Sequence, residues 1–456
     1  MKWTKDQAVA LQEIDEWRLA PRMSSNNFYT LEGAAGTGKT TIVLEIIKLF
    51  RGTKIAVAAP THTAKEVIGE MTGLPALTVH NLLGLRPDLD LADYNPNNPL
   101  YSAQSKEKIQ DFGIVFIDEG SMVNKLLDKK IRDKAVQYST MILYIGDSFQ
   151  LPPVGEKMSN IFMYPNKSIL KEVVRQDHEN PNQAILISAR NDIEFGTNEI
   201  DELYAKPFEN VNTYNEHFRE QGTILTNDMD RFYDKLIELY SDSEARVNNR
   251  FIKTLAYTNS AVEKLNVYIK NRVNPSFDFI GEGDYLLGYK TVMVGSKTVT
   301  VQNGSTYYVQ HLQIGEIVVN MRLYKCYKVL TSKNDVINIL HPDSYAQFHA
   351  TLQELYDKGE DYRQWRLFYK FKEQLVVLTS FFHDHRTYNN GKPKKLCGKD
   401  IDLGYAQTVH KSQGSTYDNV AIVYDNFNIC REEDDRKRLV YVAQSRARYL
   451  NLIYKK

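Results

Sequence analysis

Gly33-Ala34-Ala35-Gly36-Thr37-Gly38-Lys39-Thr40 spells G-x-x-x-x-G-K-T between an apolar run, Phe28-Tyr29-Thr30-Leu31, and a helix-like run from Ile42 to Ile47. That context predicts a phosphate-binding loop set between a strand and a helix. The glycines let the backbone curl until several N–H groups face one anion, with a helix N-terminus behind them. Lys39 then reaches the β- and γ-phosphates of a nucleoside triphosphate, and the Thr40 hydroxyl sits on Mg²⁺. Kinases, GTPases, clamp loaders and nucleic-acid motors all carry such a loop, so other residues must discriminate among them.

Ile117-Asp118-Glu119 ends a second apolar run. An aspartate there holds Mg²⁺ through water, and the glutamate beside it orients or deprotonates an attacking water. A nucleotide kinase needs no such glutamate, so the pair favours hydrolysis. A third run closes in Gly146-Asp147-Ser148-Phe149-Gln150-Leu151-Pro152-Pro153. The Gln150 amide both donates and accepts, which suits a γ-phosphate sensor; a plain strand-to-loop turn is the blander reading.

The elements that must position these groups read as alternating strands and helices, the pattern of a parallel sheet covered on both faces. Strands are expected at Ile55–Ala58, Ile114–Ile117 and Met141–Ile145, with a charged helix around Lys125 to Tyr138. Arg86 to Ser105, rich in Pro, Asp and Asn, reads as an insertion. A second α/β region starts near Asn180, its clearest strand being Phe251 to Tyr257. From about Ile280 to Leu330 short alternating segments such as Thr298–Val301 and Gly315–Val319 suggest a small β-barrel. Asp343 to Gln374 reads as helical, with Trp365 and Phe368 in its core; Asn389 to Pro393 is a turn, and α/β structure resumes near Asp402.

Composition sets outer bounds. The 456 residues allow two or more domains, and 42% hydrophobic with 25% charged residues is ordinary for a globular chain. No apolar stretch approaches a membrane span and the first residues lack a signal pattern, so no membrane role is expected. Cys326, Cys397 and Cys430 form neither metal-ligand spacing nor an even disulfide set, which points to a reducing compartment. Lys and Arg (57) balance Asp and Glu (57). With no global basic field, any nucleic-acid site must be a locally positive channel.

Gly33 to Thr41, Ala59 to Lys65, Asp118 to Met122 and Gly146 to Pro153 resemble successive motifs of superfamily 1 helicases. Val409-His410-Lys411-Ser412-Gln413-Gly414-Ser415 and Tyr441 to Arg448 look like the two late motifs, and the order and spacing are similar to group B. The likeness covers nearly the whole chain. It implies an α/β fold with two RecA-like P-loop NTPase domains, a small pin-type insertion and an SH3-like β-barrel insertion. The boundaries it suggests are 1–82 with 111–178 for the first motor domain and 83–110 for the pin. The second motor domain takes 179–280 with 401–456, and 281–400 forms the SH3-like insertion with a helical extension.

The same likeness implies ATP and Mg²⁺ in a cleft between the motors. Gln7 resembles the glutamine that recognises adenine; Thr41, Gln413 and Gly414 join the nucleotide site, and Thr40 with Asp118 the metal site. Lys39, Glu119, Gln150, Arg175 and Arg446 carry catalysis. Each arginine offers a guanidinium to the γ-phosphate, typically worth about 10³–10⁵ in rate. On the second motor, Arg446 would reach the phosphate only as the cleft closes.

Two alternating grips on a strand are expected. Pro60, Thr61, His62 and Thr63 follow a strand of the first motor; Thr408, His410, Lys411 and Ser412 lie in the second. Hydroxyls, lysine and backbone N–H groups hold phosphates without reading bases, as a motor on any sequence requires. Tyr257 and Asn259 resemble another strand-contacting motif. His80 either contacts the strand or is structural. The Arg86–Ser105 insertion lies where group B carries its duplex-splitting pin, with Leu100 or Tyr101 as the wedge or a surface loop in its stead. The segment with Gln302-Asn303-Gly304-Ser305 resembles the SH3-like insertion.

The resemblance therefore implies an ATP-dependent DNA helicase moving 5′ to 3′ on single-stranded DNA, serving replication, recombination or repair. The partners it implies are single-stranded and forked duplex DNA, with single-strand-binding or replication proteins as candidates. A monomer in the cytoplasm is expected, that of a bacterial host if phage-encoded. Alternatives are a translocase that displaces proteins or remodels forks, a motor subunit of a nuclease complex, and a slowly hydrolysing nucleotide-gated scaffold. RNA stays open as a track, since no 2′-OH reader is identifiable.

Overall fold

The computed structural model describes residues 3–21, 26–85, 106–172, 180–214, 219–276, 279–294, 298–332, 335–362, 365–372, 374–378, 386–389, 392–395 and 399–456. Arg175, Cys397, the Asn390-Gly391 pair and the Arg86–Ser105 insertion with Leu100 and Tyr101 lie outside these residues, as does the side chain of Trp365. The chain forms two compact units, one of residues 1–232, 255–257 and 408–456, the other of 233–254 and 258–407.

The first unit is organised by a six-stranded sheet. Its strands are β1 (Phe28–Gly33), β2 (Ile55–Ala59), β3 (Ala76–Thr78), β4 (Ile114–Ile117), β5 (Met141–Gly146) and β6 (Lys167–Leu170), in the order β3-β2-β4-β5-β1-β6. Every pairing is parallel, with Ala58 opposite Ile117 and Thr30 opposite Tyr144. Period-two alternation sends Leu31, Val57, Phe116 and Leu143 to one face, where helices Lys5–Leu19 and Lys39–Leu49 add Ile14, Ile42 and Ile46. Ala58, Val115, Ile117 and Tyr144 go to the other face, against Leu127 and Ile131 of helix Lys125–Tyr138. Apolar side chains on both faces explain why these strands read as continuous hydrophobic runs. Because all run the same way, the C-terminal ends of the adjacent β4, β5 and β1 open at one edge, where such sheets hold ligands.

The same unit contains a second sheet. Phe208–Tyr214 pairs antiparallel with Arg219–Thr226, which runs parallel to Ala447–Tyr454, itself parallel to Tyr417–Val423. Helices Asn182–Glu194 and Glu433–Ser445 pack into its core through Ile185, Leu186, Leu439 and Tyr441.

The second unit is built on an antiparallel five-stranded sheet. Its order is Val336–Leu340, Arg322–Thr331, Thr306–Val319, Tyr285–Gly288 and Ile401–Leu403. Asn320 and Met321, at φ 49° and 59°, form the two-residue turn of its long hairpin. That geometry matches the right-handed twist of the flanking strands. Helices Tyr345–Tyr362 and Trp365–Lys372 bury Phe348, Leu352, Phe368 and Phe371 against Tyr324 and Cys326. Among the described residues no helix is long and apolar enough to cross a membrane.

Candidate functional site

The loop 33–40 leaves β1 and closes on helix Lys39–Leu49. Gly36 and Gly38 adopt φ 84° and 75°, left-handed backbone that glycine enters without strain. Gly33 is needed for room, since a Cβ there would lie 2.6 Å from Thr37 Oγ1. The Thr37 hydroxyl donates to the Ala34 carbonyl at 2.9 Å and tightens the curl. Lys39 lies back along the loop, its ammonium donating to the carbonyls of Gly33 (2.5 Å) and Ala34 (2.8 Å). Gln7 ties the N-terminal helix to this loop. Its Nε2 donates to Thr37 O at 3.2 Å, while its Oε1 accepts from Thr4 N in a capping box. Thr40 and Thr41 open the helix behind the loop, Thr40 with its side chain exposed.

Asp118 and Glu119 follow β4 beside the loop and stay half-buried. Burial raises the Asp118 carboxyl above its ordinary value, against the pull of its hydrogen bond to the Glu119 backbone and of Lys39. Glu119 is pushed up to about 7, by burial first and by Asp118 second, while Arg446 and Lys39 pull it down. Its backbone sits at φ 52°, a left-handed conformation that costs a non-glycine residue roughly 1–3 kcal/mol.

Residues from late in the sequence complete the site. Arg446 is buried: its Nη1 donates to Ser415 O at 3.1 Å and its Nη2 to Ser445 Oγ at 2.9 Å. Gly414, at φ 73°, packs so tightly that a Cβ would stand 2.8 Å from Ala64 Cβ and 3.5 Å from Glu119 Cγ. Gln413 is buried and its Nε2 donates to Leu151 O at 3.2 Å. Gln150 is 7% exposed, and its Oε1 is buried with no hydrogen-bond partner, an acceptor that needs a donor.

Three more residues hold the site together: Tyr441 and Asp147, which lie within the motifs above, and Arg438, which lies outside them. Tyr441 accepts from Ala35 N and donates to Asp147 Oδ2, both at 2.8 Å. Burial and Asp147 raise its hydroxyl far above the ordinary range, so it remains a donor. Arg438, one turn earlier, donates to the carbonyls of Ser148 and Gln150. Asp147 was quoted only as part of its motif. All three act through partners about 290 to 406 positions away, which no local pattern reveals.

The strand-contacting candidates fall into one local design: a strand end followed by a threonine that caps a helix. Thr61 Oγ1 accepts from Ala64 N at 3.2 Å after β2 and Pro60, leaving His62 and Thr63 in the first turn. Thr408 Oγ1 accepts from Lys411 N at 3.3 Å and opens the turn with His410. The Tyr257 ring lies 6.0 Å from that of His410. Ser412 differs: it is buried and its hydroxyl donates to Val409 O at 2.7 Å, so it stabilises the turn. His80 sits in a short helix capped by Thr78, and burial lowers its imidazole below the ordinary value. Asn259, exposed, opens a helix of the second unit.

Among the described residues no group of three or more His, Cys, Asp and Glu can hold a metal alone. The hydroxyl of Thr40 and the carboxylate of Asp118 fit a hard cation that arrives with phosphate oxygens, the usual manner of Mg²⁺.

Comparisons with known proteins find likeness in sequence and in fold. The AAA domain family matches residues 10–207, and the UvrD-like helicase C-terminal domain matches 403–453. The ATP-dependent DNA helicase dda of Enterobacteria phage T4 is 26% identical over 444 residues, covering 92% of both chains. The RecBCD enzyme subunit RecD of Buchnera aphidicola (subsp. Acyrthosiphon pisum) is 24% identical over 440 residues, covering 88% of this chain and 66% of its own. The crystal structure of Bacteroides Pif1 bound to single-stranded DNA matches the fold with a TM-score of 0.52 at 17% identity, covering 99% of this chain and 92% of that one.

Proposed function

We infer that this chain is a member of the superfamily 1 helicases that include Dda, RecD and Pif1, and works as an ATP-dependent DNA helicase. It moves 5′ to 3′ on single-stranded DNA and unwinds duplex. The observation that carries the reading is the electrostatic clustering of Lys39, Asp118, Glu119 and Arg446 at one phosphate loop.

In this reading the loop amides and Lys39 hold the β- and γ-phosphates. Thr40 and Asp118 would hold Mg²⁺, which when bound neutralises charge on the phosphate oxygens. Glu119, ionised, orients and deprotonates the attacking water, for which a value near 7 is suited. Arg446 stabilises the terminal phosphate as its charge redistributes, with Arg175 the second such group by sequence likeness. Gln150 presents an acceptor at the same edge, while Gln7, Gln413 and Gly414 set the loop and the strand ends around it.

We place the motor domains at 1–82 with 111–178 and at 179–280 with 401–456; the parallel sheet supports the first. Residues 281–400 are assigned as the SH3-like insertion with its helical extension, supported by the antiparallel sheet and its paired helices. Residues 83–110 are assigned as the pin. Pro60 to Thr63, Tyr257, Asn259, Thr408, His410 and Lys411 are assigned to the strand track, where capped helix N-termini offer amides to phosphates. Ser412 supports that turn and His80 contacts the strand.

Forked duplexes with a single 5′ or 3′ tail test the reading. ATP-dependent separation of the 5′-tailed fork alone is expected. Separation of only the 3′-tailed fork, or of neither, contradicts it.

A further inference from the structure

One arginine stands over the phosphate loop without an assigned role. Helix Asn182–Glu194 presents Gln183, Leu186, Ile187 and Arg190 to a small open cleft that Ala34, Ala35, Gly36 and Tyr441 also line. Arg190 is half-buried there, and its Nε is buried with no hydrogen-bond partner. A guanidinium so placed lacks an anion, since a buried donor left unmatched costs about 1–3 kcal/mol or more when charged.

The position of the cleft along the loop says which anion. The Lys39 ammonium, which reads the β- and γ-phosphates, rests 2.8 Å from Ala34 O, at the end of the loop that lines this cleft. Gly38 to Thr40, on the helix N-terminus, are not part of the lining. Leu186, which is buried, puts an apolar wall beside the same space, and a charge-assisted bond is stronger next to such a wall than in open water.

We propose that Arg190 binds an oxygen of the terminal phosphate of the nucleoside triphosphate, as a specificity-determining contact that distinguishes tri- from diphosphate. This rests on the nucleotide site assigned above. Arg190 adds to Lys39 and Arg446 a cation delivered by a helix that neither sequence motif contains. Because its helix packs in the core of the second sheet, the contact also tells that sheet whether the γ-phosphate is present.

Direct binding titrations of a non-hydrolysable ATP analogue and of ADP, on the full chain and on Arg190→Ala, Arg190→Gln and Arg190→Lys, test the proposal. The ratio of the two affinities within each protein is the readout, because a merely structural defect weakens both nucleotides together. Expected is a loss of about tenfold or more in analogue binding relative to ADP for Arg190→Ala and Arg190→Gln, the worth of one charged hydrogen bond. Arg190→Lys should recover part of it. A ratio unchanged from wild type in all three variants overturns the proposal while leaving the nucleotide site intact. Failure of the wild-type chain to bind either nucleotide, with Lys39→Ala indistinguishable from it, overturns the nucleotide site and the proposal together.

Discussion

Tyr441 and Ala35 lie 406 positions apart in sequence and 2.8 Å apart in space, the tyrosine oxygen accepting the hydrogen of a phosphate-loop amide. The same hydroxyl donates to Asp147 beyond β5, so one side chain fastens a late helix to two loops of the nucleotide edge. Replacing it with phenylalanine keeps the ring and strands both partners, at about 1–3 kcal/mol for each buried group left unmatched. Tyr441→Phe should therefore unfold at a lower urea concentration than wild type. An unchanged midpoint would mean that the bridge contributes nothing.

Glu119 gives a pH signature of unusual sign. Its carboxyl is raised from the ordinary 4.5 to about 7. Between those values the folded chain keeps a proton that the unfolded chain has released, so stability falls as pH rises through the window. Above about 7 both forms are ionised and the loss is complete. Glutamine does not titrate. Glu119→Gln should thus gain on wild type in thermal midpoint at pH 8 and show little advantage at pH 5; a constant difference contradicts the raised carboxyl.

Two glycines with similar backbone separate strain from contact. Gly414 (φ 73°) faces Ala64 and Glu119, whereas Gly73 (φ 66°) has open space where a Cβ would go. Alanine at either position meets the left-handed penalty, roughly 1 kcal/mol. Only Gly414→Ala also forces Ala64 to shift, in a contact that adjoins Glu119. ATP turnover should fall at least tenfold in Gly414→Ala and stay near wild type in Gly73→Ala, measured under saturating ATP. Equal turnover in the two would show that the Gly414 contact is irrelevant to chemistry.

Gln7 engages both ends of its amide locally, on Thr4 and Thr37. Loss of that tether loosens the loop for any triphosphate. Gln7→Ala should raise KM for ATP and for GTP by similar factors of several-fold. A rise confined to ATP would instead make Gln7 chiefly a reader of the base.

Much of the nucleotide edge was legible because its strands are buried on both faces. Ile114–Ile117 and Met141–Ile145 announce themselves as apolar runs ending in Asp118-Glu119 and Gly146-Asp147, and helix Lys125–Tyr138 lies where the charged, periodic segment was expected. The hairpin Phe208–Tyr214 with Arg219–Thr226 was not legible. Its edge strand, Phe-Glu-Asn-Val-Asn-Thr-Tyr, is too polar to show an alternating face. The Ser412 hydroxyl turned inward for the same kind of reason: whether a serine faces a ligand or its own helix depends on one hydrogen bond. The roles of Tyr441 and Arg438 were hidden because their partners come from other elements, and spacing along a chain carries no record of such meetings.

The central claim is that Glu119 serves a motor whose hydrolysis depends on its track. Steady-state ATP hydrolysis, with and without single-stranded DNA, on wild type and Glu119→Gln measures this directly. The account predicts strong stimulation by DNA in wild type and a loss of about 10²–10⁴ in turnover in the variant, the usual share of a general base. Hydrolysis indifferent to DNA, or a variant as active as wild type, would contradict it.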